Sequence, residues 1–213
     1  MNRKIALVTA GPTREYLDPV RYLSNASSGR MGTALAQELK SLGFQVTLIL
    51  GPGVLSPAGI PSVRVVSAAQ MYREVAKRFP KCGLFISTAA VSDFRPEFER
   101  RGKIRRTGKS LSLKLVANPD ILYEMGRRKR DQVCVGFALE DQDGMKRAFV
   151  KMFRKNCDLM VLNGAQSIES GHISATLLFP DQSAKKLGKI RKKECAKKIC
   201  RVVLRSFPGK FKV

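Results

Sequence analysis

The chain has no C-x-x-C pair, a single histidine (His172) and no tryptophan among its 213 residues. Its five cysteines, at 82, 134, 157, 195 and 200, are odd in number and scattered. A zinc site built from clustered Cys and His is therefore not expected. Cysteines flanked mostly by apolar residues read as small core hydrophobes of a reduced, cytoplasmic protein. No apolar run is long enough to span a bilayer, and the N-terminal one is too short for a signal peptide. Without secretion, the sequon Asn25-Ala26-Ser27 carries no glycosylation meaning. Internal repeats and low-complexity tracts are also missing. The lack of tryptophan excludes nothing.

Acidic residues are scarce. Forty Lys and Arg stand against 17 Asp and Glu, a formal net charge of +23. Such an imbalance attracts polyanions, without choosing among nucleic acid, acidic membrane and phosphorylated small molecules. The cations are unevenly spread. Arg127-Arg128-Lys129-Arg130 forms one cluster, residues 95–109 carry seven, and the tail from Ala184 carries twelve with Glu194 as its only acid. Each cluster reads equally well as a solvated basic face.

What the chain does have is a regular alternation of strand and helix patterns. Apolar runs at 4–9, 45–50, 63–66, 84–88, 133–137, 159–162 and 175–179 predict strands, and Leu111 to Val116 alternates like a strand with one wet face. Helical spacing appears over 29–42, 68–78, 144–156 and 194–206. A further helix is expected through Arg128, with Asn118-Pro119-Asp120 at its start and the Pro at the first helical position. Residues 95–110 have many charges and little periodicity, and read as an exposed, mobile flap. The pattern predicts an α/β, Rossmann-like fold: an open, mostly parallel sheet with helices on both faces, in one domain spanning 1–213. Ligands of such sheets bind at the carboxyl ends of the strands.

The common nucleotide motifs are absent. After the first strand the turn is Gly11-Pro12-Thr13-Arg14-Glu15, not G-x-G-x-x-G, and the second strand ends in Gly51-Pro52 with no acid for a ribose. A dehydrogenase is excluded on both counts. From Gly102 to Gly108-Lys109-Ser110 the spacing is one residue too long for a Walker A loop, and a strand-like pattern follows instead of a helix. What stands after the first strand is the run from Asp18 through Arg21, Asn25, Ser27 and Ser28 to Gly29 and Gly32. It supplies more hydrogen-bonding groups than a turn needs, just before a helix N-terminus that can receive an anion.

Together these segments resemble phosphopantothenate–cysteine ligase of coenzyme A biosynthesis. The resemblance covers roughly residues 4 to 180 and rests on six motifs in order. These are T-A-G-x-T-R-E with D-P-V-R-Y-[IL]-S-N-x-S-S-G-x-M-G; A-A-V-[AS]-D-[YF]-R-P; K-I-[KR]-[KR]; N-P-D-I-L; V-G-F-A-x-E; and a Lys pair with K-N-x-D-L beyond it. The resemblance implies activation of 4′-phosphopantothenate by CTP and Mg²⁺ to an acyl-cytidylate with release of pyrophosphate. Attack by the amine of L-cysteine then gives phosphopantothenoylcysteine and CMP. A free carboxylate is a poor acyl donor and a mixed anhydride a good one, so catalysis would rest on positioning and charge stabilisation.

The same resemblance assigns residues. Asn25 would bind the acyl-nucleotide and donate to its acyl oxygen, with Arg21 beside it and Ser27, Ser28 and Gly29 holding the substrate. Read alone, Asn25 is equally an Asx cap for the following helix. Ala89, Ala90 and Asp93 match the nucleotide-binding turn, with Asp93 meeting the nucleotide or its metal. Lys103 opens the flap motif and would neutralise phosphate charge. Asn118, Pro119 and Asp120 match the N-P-D turn, Phe137 would line the base pocket, and Lys151 and Lys155, four apart on one helix face, would meet the triphosphate. Metal ligands stay unassigned, since Mg²⁺ would be carried largely by the nucleotide phosphates. Neither flavin nor NAD is expected.

The chain departs from the family pattern at Pro12, at Ala117 in place of a Lys, and at Leu162-Asn163-Gly164 in place of A-N-D. It starts directly at the synthetase, which implies a stand-alone form. A homodimer is expected, although no seam is legible; a membrane partner is not. The alternative is a nucleotide- or nucleic-acid-binding protein of the same fold without ligase activity. That alternative wants basic patches interleaved with aromatics, whereas the aromatics here are mostly Phe in core-like runs, so nucleic acid is not the expected partner.

Overall fold

The computed structural model describes residues 4–106, 108, 110–139, 144–164 and 171–211. An eight-stranded sheet organises the chain, in the order β12-β11-β10-β9-β6-β1-β4-β5. β1 (Ile5–Ala10), β4 (Gln45–Leu50), β5 (Ser62–Arg64), β6 (Leu84–Ser87), β9 (Val133–Leu139) and β10 (Leu159–Asn163) run parallel. β11 (His172–Leu178) and β12 (Ala184–Arg191) add an antiparallel edge. The helices are α1 (Arg30–Ser41), α2 (Ala68–Arg78), α3 (Ile121–Arg128), α4 (Gly144–Arg154) and α5 (Lys192–Ser206). Two short antiparallel pairs stand apart from the sheet: β2 (Arg14–Tyr16) with β3 (Tyr22–Ser24), and β7 (Phe94–Pro96) with β8 (Leu115–Ala117). The mostly parallel α/β fold with helices on both faces is thus present.

The central strands are apolar on both sides because both sides are covered. In β1, Ala6, Val8 and Ala10 pack into one layer with Leu35 and Leu39 of α1 and Cys195, Ile199 and Val203 of α5. Leu7 faces the other layer, built from Met71 and Val75 of α2, Met125 of α3 and Met152 of α4. Each fully buried Leu or Met contributes about 1.5–3 kcal/mol through its removal from water. Ser67 fixes the start of α2 through a capping box with Gln70.

Three expectations need correction, and one long edge strand went unread. β12 was not foreseen: its sequence AKKLGKIR is almost wholly exposed, so it carries no burial pattern to read. The alternation of Leu111 to Val116 yields a strand only at Leu115–Ala117, and Leu111, Leu113 and Leu115 are all exposed. Pro119 lies outside its helix, because Asp120 is the N-cap, its side chain accepting from Tyr123 N–H. Lys155 lies one residue beyond the end of α4, although its N–H still reaches the Lys151 carbonyl at 3.0 Å.

Candidate active site

The polar loops gather at the carboxyl ends of β1, β6 and β9. The loop after β1 and the turn after β6 are laced together through the backbone. Ala90 N–H donates to Gly11 C=O at 2.9 Å and Thr13 N–H donates to Ala90 C=O at 3.3 Å. Thr13 Oγ1 accepts from Ser92 N–H, and Ser24 Oγ donates to Thr13 C=O at 2.7 Å. The two acids of this loop are both buried, at 4% exposure for Glu15 and 0% for Asp18. Glu15 accepts from Ala68 N–H and so satisfies the first turn of α2. Asp18 serves the flap, as described below.

A cleft of about 180 Å³ opens beside this lacing. Ser27, Ser28 and Gly29 form one wall and Ala89 and Ala90 another, with Phe137 at the end of β9 closing it. The N-terminus of α1 lies at the cleft, lined by Gly29, Arg30 and Met31; Gly29 is the N-cap, no side chain caps the helix, and no acid stands in its first turn. That is the electrostatic setting for an anion. Gly29 has φ +68°, and a Cβ there would sit 2.6 Å from Val54. Gly32 does a different job, since its Cβ would meet Ala10 Cβ and Thr88 Oγ1 at 2.5 Å. It packs the helix against β1, leaving Gly29 as the residue that shapes the cleft.

Lys192, the first residue of α5, also lines the cleft, as does Arg30. Burial pulls the Lys192 pKa below its ordinary value, and the neighbouring Arg30 adds to this. Sequence reading left Lys192 inside an undifferentiated basic tail. Only the strand before it, which it could not see, brings this lysine to the cleft.

Six of the residues singled out from sequence thus share one cleft: Ser27, Ser28, Gly29, Ala89, Ala90 and Phe137. Asn25 stands next to it, its Nδ2 donating to Val91 C=O at 3.1 Å. This settles the alternative for Asn25, because it does not cap α1. Asn118 is locked to the turn after β6, donating from Nδ2 to Ser92 C=O at 2.8 Å and from N–H to Asp93 C=O at 2.8 Å. Arg95 donates to its Oδ1 at 3.3 Å. Asp93 is exposed at that turn, and Pro119 is half-buried between Asn118 and the cap Asp120. Lys155 forms an ion pair with Asp120 at 2.9 Å, so two residues expected to meet a nucleotide separately meet each other. Lys151 is half-buried on α4. Neither Lys151 nor Lys155 lines the cleft.

Arg21 and Lys103 belong to a second group of contacts. Arg21 pairs with Asp18 at 2.6 Å and donates from the same Nη1 to Ile104 C=O at 3.1 Å. Asp18 Oδ2 accepts from Ile104 N–H at 3.0 Å, and Arg100 N–H donates to Leu17 C=O at 3.0 Å. The N–H of Ile104 is the main reason the Asp18 carboxyl sits well below the usual carboxylate range; Val20, Arg21 N–H and the Arg21 guanidinium add to it, against the opposing effect of burial. The flap is exposed as expected, but its root is pinned to the loop after β1. Lys103 is exposed within that pinned stretch. Beyond it, Arg21, Arg105 and Arg106 line a space of about 340 Å³ between loop and flap. Asp18 was missed in the sequence, where the signal was an acid three residues before Arg21.

The five cysteines are free and buried. Burial pushes the thiols of Cys82, Cys157 and Cys200 up to about 12, so they are not nucleophiles at neutral pH. Among the described residues no group of three or more His, Cys, Asp or Glu is placed to hold a metal ion. No described helix is long and apolar enough to cross a membrane. A larger cavity, about 630 Å³, lies along β4 near the other end of the strands. None of the candidate site residues lines it.

Comparison with known proteins gives a consistent result. Residues 1–206 match the family described as DNA/pantothenate metabolism flavoprotein C-terminal domain. The coenzyme A biosynthesis bifunctional protein CoaBC of Borreliella burgdorferi is 37% identical over 206 residues, 95% of this chain and 52% of that protein. This chain spans about half the length of the curated relatives it matches. The crystal structure of a CoaBC C-terminal domain superposes with a TM-score of 0.84 at 32% identity, covering 98% of this chain and 99% of that one. A Cab2 mutant in complex with phosphopantothenate-cysteine shares the fold, with a TM-score of 0.78 at 18% identity over 98% of this chain and 88% of that one. The chain belongs to the DNA/pantothenate metabolism flavoprotein C-terminal domain family.

Proposed function

We propose that the chain is a phosphopantothenate–cysteine ligase that activates 4′-phosphopantothenate with CTP and joins it to L-cysteine, releasing pyrophosphate and CMP. One observation carries the reading: the Asn25 amide is held at Val91 C=O beside the cleft formed by Ser27, Ser28, Gly29, Ala89 and Ala90. The two longest motifs of the sequence resemblance are therefore in contact, at the carboxyl ends of the strands where an α/β sheet binds its ligand. Relatives named for coenzyme A biosynthesis support the pathway. The fold neighbour bound to phosphopantothenate-cysteine is consistent with the substrates.

The chemistry follows from the donors. The α1 N-terminus with Ser27 and Ser28 would hold an anionic group, and small residues at 89 and 90 would let a nucleotide approach the backbone. Asn25 Nδ2 carries two hydrogens. One goes to Val91, and the other is free to meet the acyl oxygen as charge builds on it in the attack by cysteine. Lys103 would enter from the flap to offset the charge of the reacting acyl phosphate. Asn118, Pro119 and Asp120 would border the nucleotide, and Phe137 would flank its base. Lys155 would act through Asp120, and Lys151 from the neighbouring turn. Bound Mg²⁺ would supply charge neutralisation on the triphosphate. A single exposed carboxylate, Asp93, fits an ion that keeps most of its ligands from phosphate and water.

Five free, buried cysteines suit the reducing cytoplasm. A homodimer belongs to this reading. The exposed apolar residues Phe94, Phe98, Leu111, Leu113 and Leu115 are surface that a second copy would cover. The test is direct. The protein is mixed with 4′-phosphopantothenate and CTP, or ATP in its place, and pyrophosphate is measured. Cysteine is then added and CMP measured. Pyrophosphate formed only with both substrates, followed by cysteine-dependent CMP, is expected with CTP. No nucleotide-dependent pyrophosphate would sink the ligase reading.

A further inference from the structure

We propose that Asp18 is a positioning residue, which together with Arg21 clamps Ile104 and so sets where Lys103 enters the site. The part assigned to Lys103 rests on the ligase reading, whereas the clamp itself does not. The two oxygens of Asp18 are used differently. Oδ1 accepts from Val20 N–H and Arg21 N–H, both at 2.8 Å, and folds its own turn. Oδ2 accepts from Arg21 Nη1 at 2.6 Å and from Ile104 N–H at 3.0 Å, the latter 86 residues away in sequence. An Asn or Ser could fold the turn with one oxygen. The second oxygen, with its negative charge, holds the Arg21 guanidinium and makes the reach to the flap.

Arg21 completes the grip. Its Nη1 donates to Ile104 C=O, so residue 104 is held by both its N–H and its C=O. The same turn holds the flap again at Arg100, through Leu17 C=O. These two attachments, at residues 100 and 104, bracket Lys103. The clamp is built on a carboxylate with 0% side-chain exposure, while the lysine it aims is exposed. A long, solvated lysine loses much side-chain entropy when it must act in one place. Fixing the backbone on each side of it removes part of that cost before substrate arrives.

Asp18→Asn isolates the clamp from the turn. Each oxygen of Asp18 faces two donors. An amide must turn its NH₂ toward one pair of them, and flipping it only moves the conflict. The experiment compares the wild type, Asp18→Asn, Lys103→Ala and the double variant. Single-turnover pyrophosphate release is followed with CTP and 4′-phosphopantothenate, and trypsin cleavage after Lys103, Arg105 and Arg106 by mass spectrometry. Asp18→Asn is expected to lower the saturated rate about tenfold with KM for both substrates within about twofold, as a misplaced group does. In the Lys103→Ala background the same change is expected to cost nothing further. Flap cleavage is expected to accelerate about fivefold or more, as local opening becomes easier.

Unchanged flap cleavage, or a full Asp18→Asn effect on top of Lys103→Ala, overturns the proposal. If the wild type forms no pyrophosphate, the ligase reading fails alone and the cleavage arm still decides the clamp. Should Asp18→Asn not fold, Ile104→Pro deletes the N–H that donates to Asp18 while leaving Asp18 in place; it is read by pyrophosphate release and by cleavage after Arg105 and Arg106 alone, since trypsin does not cut a Lys–Pro bond.

Discussion

The loop of residues 11–29 and the flap of residues 97–114 are both polar, glycine-containing connections at the same end of the sheet. They are built in opposite ways. Along the loop, groups from Gly11 to Ser24 are tied to the turn after β6, to Val66 and the first turn of α2, or within the β2–β3 pair. The flap is tied at its base by the β7–β8 pair and the Glu97–Lys114 contacts, and to the loop at Arg100 and Ile104. Its Phe98, Leu111 and Leu113 face solvent. The loop is held along its length, while the flap is held at its base and at two points, Arg100 and Ile104. Polarity in a sequence does not distinguish the two; the number of partners does.

That contrast can be broken or sharpened by experiment, the largest effect first. Asn25→Asp replaces a fixed donor in the loop by a carboxylate. Cysteine-dependent CMP release is expected to fall on the order of 10²–10³-fold, the cost of removing one preorganised donor, with little change in melting temperature. Turnover equal to the wild type would refute the role given to Asn25. Gly29→Ala puts a Cβ into Val54 at a left-handed backbone position. A loss of about 1–3 kcal/mol in urea unfolding is expected, together with weaker nucleotide binding. Unaltered stability would mean that the loop is not held along its length.

The smallest effect concerns the contact between the two regions. The folded pKa of Asp18 is depressed, so its stabilisation is fully present above the ordinary carboxylate value and is lost only as pH falls through the folded one. Hydrogen exchange at the Ile104 amide, corrected for its intrinsic rate, should therefore show constant protection between about pH 8 and pH 5. Protection that fades within that window would place the clamp on some other group.

The parallel strands were legible because they are buried on both faces and read as apolar runs, as at Gln45–Leu50 and Leu84–Ser87. β12 was not, since an exposed edge strand rich in Lys looks like any solvated segment. Leu111 to Val116 misled in the other direction: its period of two is real, but no sheet lies beneath it to bury the leucines. At the site, residues from the loop, the turn after β6 and β9 line one cleft. The pairing of Lys155 with Asp120 did not follow from spacing, because the two lie 35 residues apart and meet only through packing of α3 against the end of α4. Lys192 was invisible for the same reason; for Asp18 the pair with Arg21 lay within reach of spacing, but the contact with Ile104, 86 residues away, did not.

The packing of α5 on α1 has a consequence for biosynthesis. The face of α1 that carries Leu35 and Leu39 is covered by Cys195, Ile199 and Val203, some 160 residues later in synthesis. A nascent chain leaving the ribosome can pair β1 with β4 and β6 and dock α1 on them early, yet the side of α1 that meets α5 stays uncovered until that helix emerges. At about 5–20 residues per second this leaves roughly 8–30 s in which an apolar surface waits for its cover.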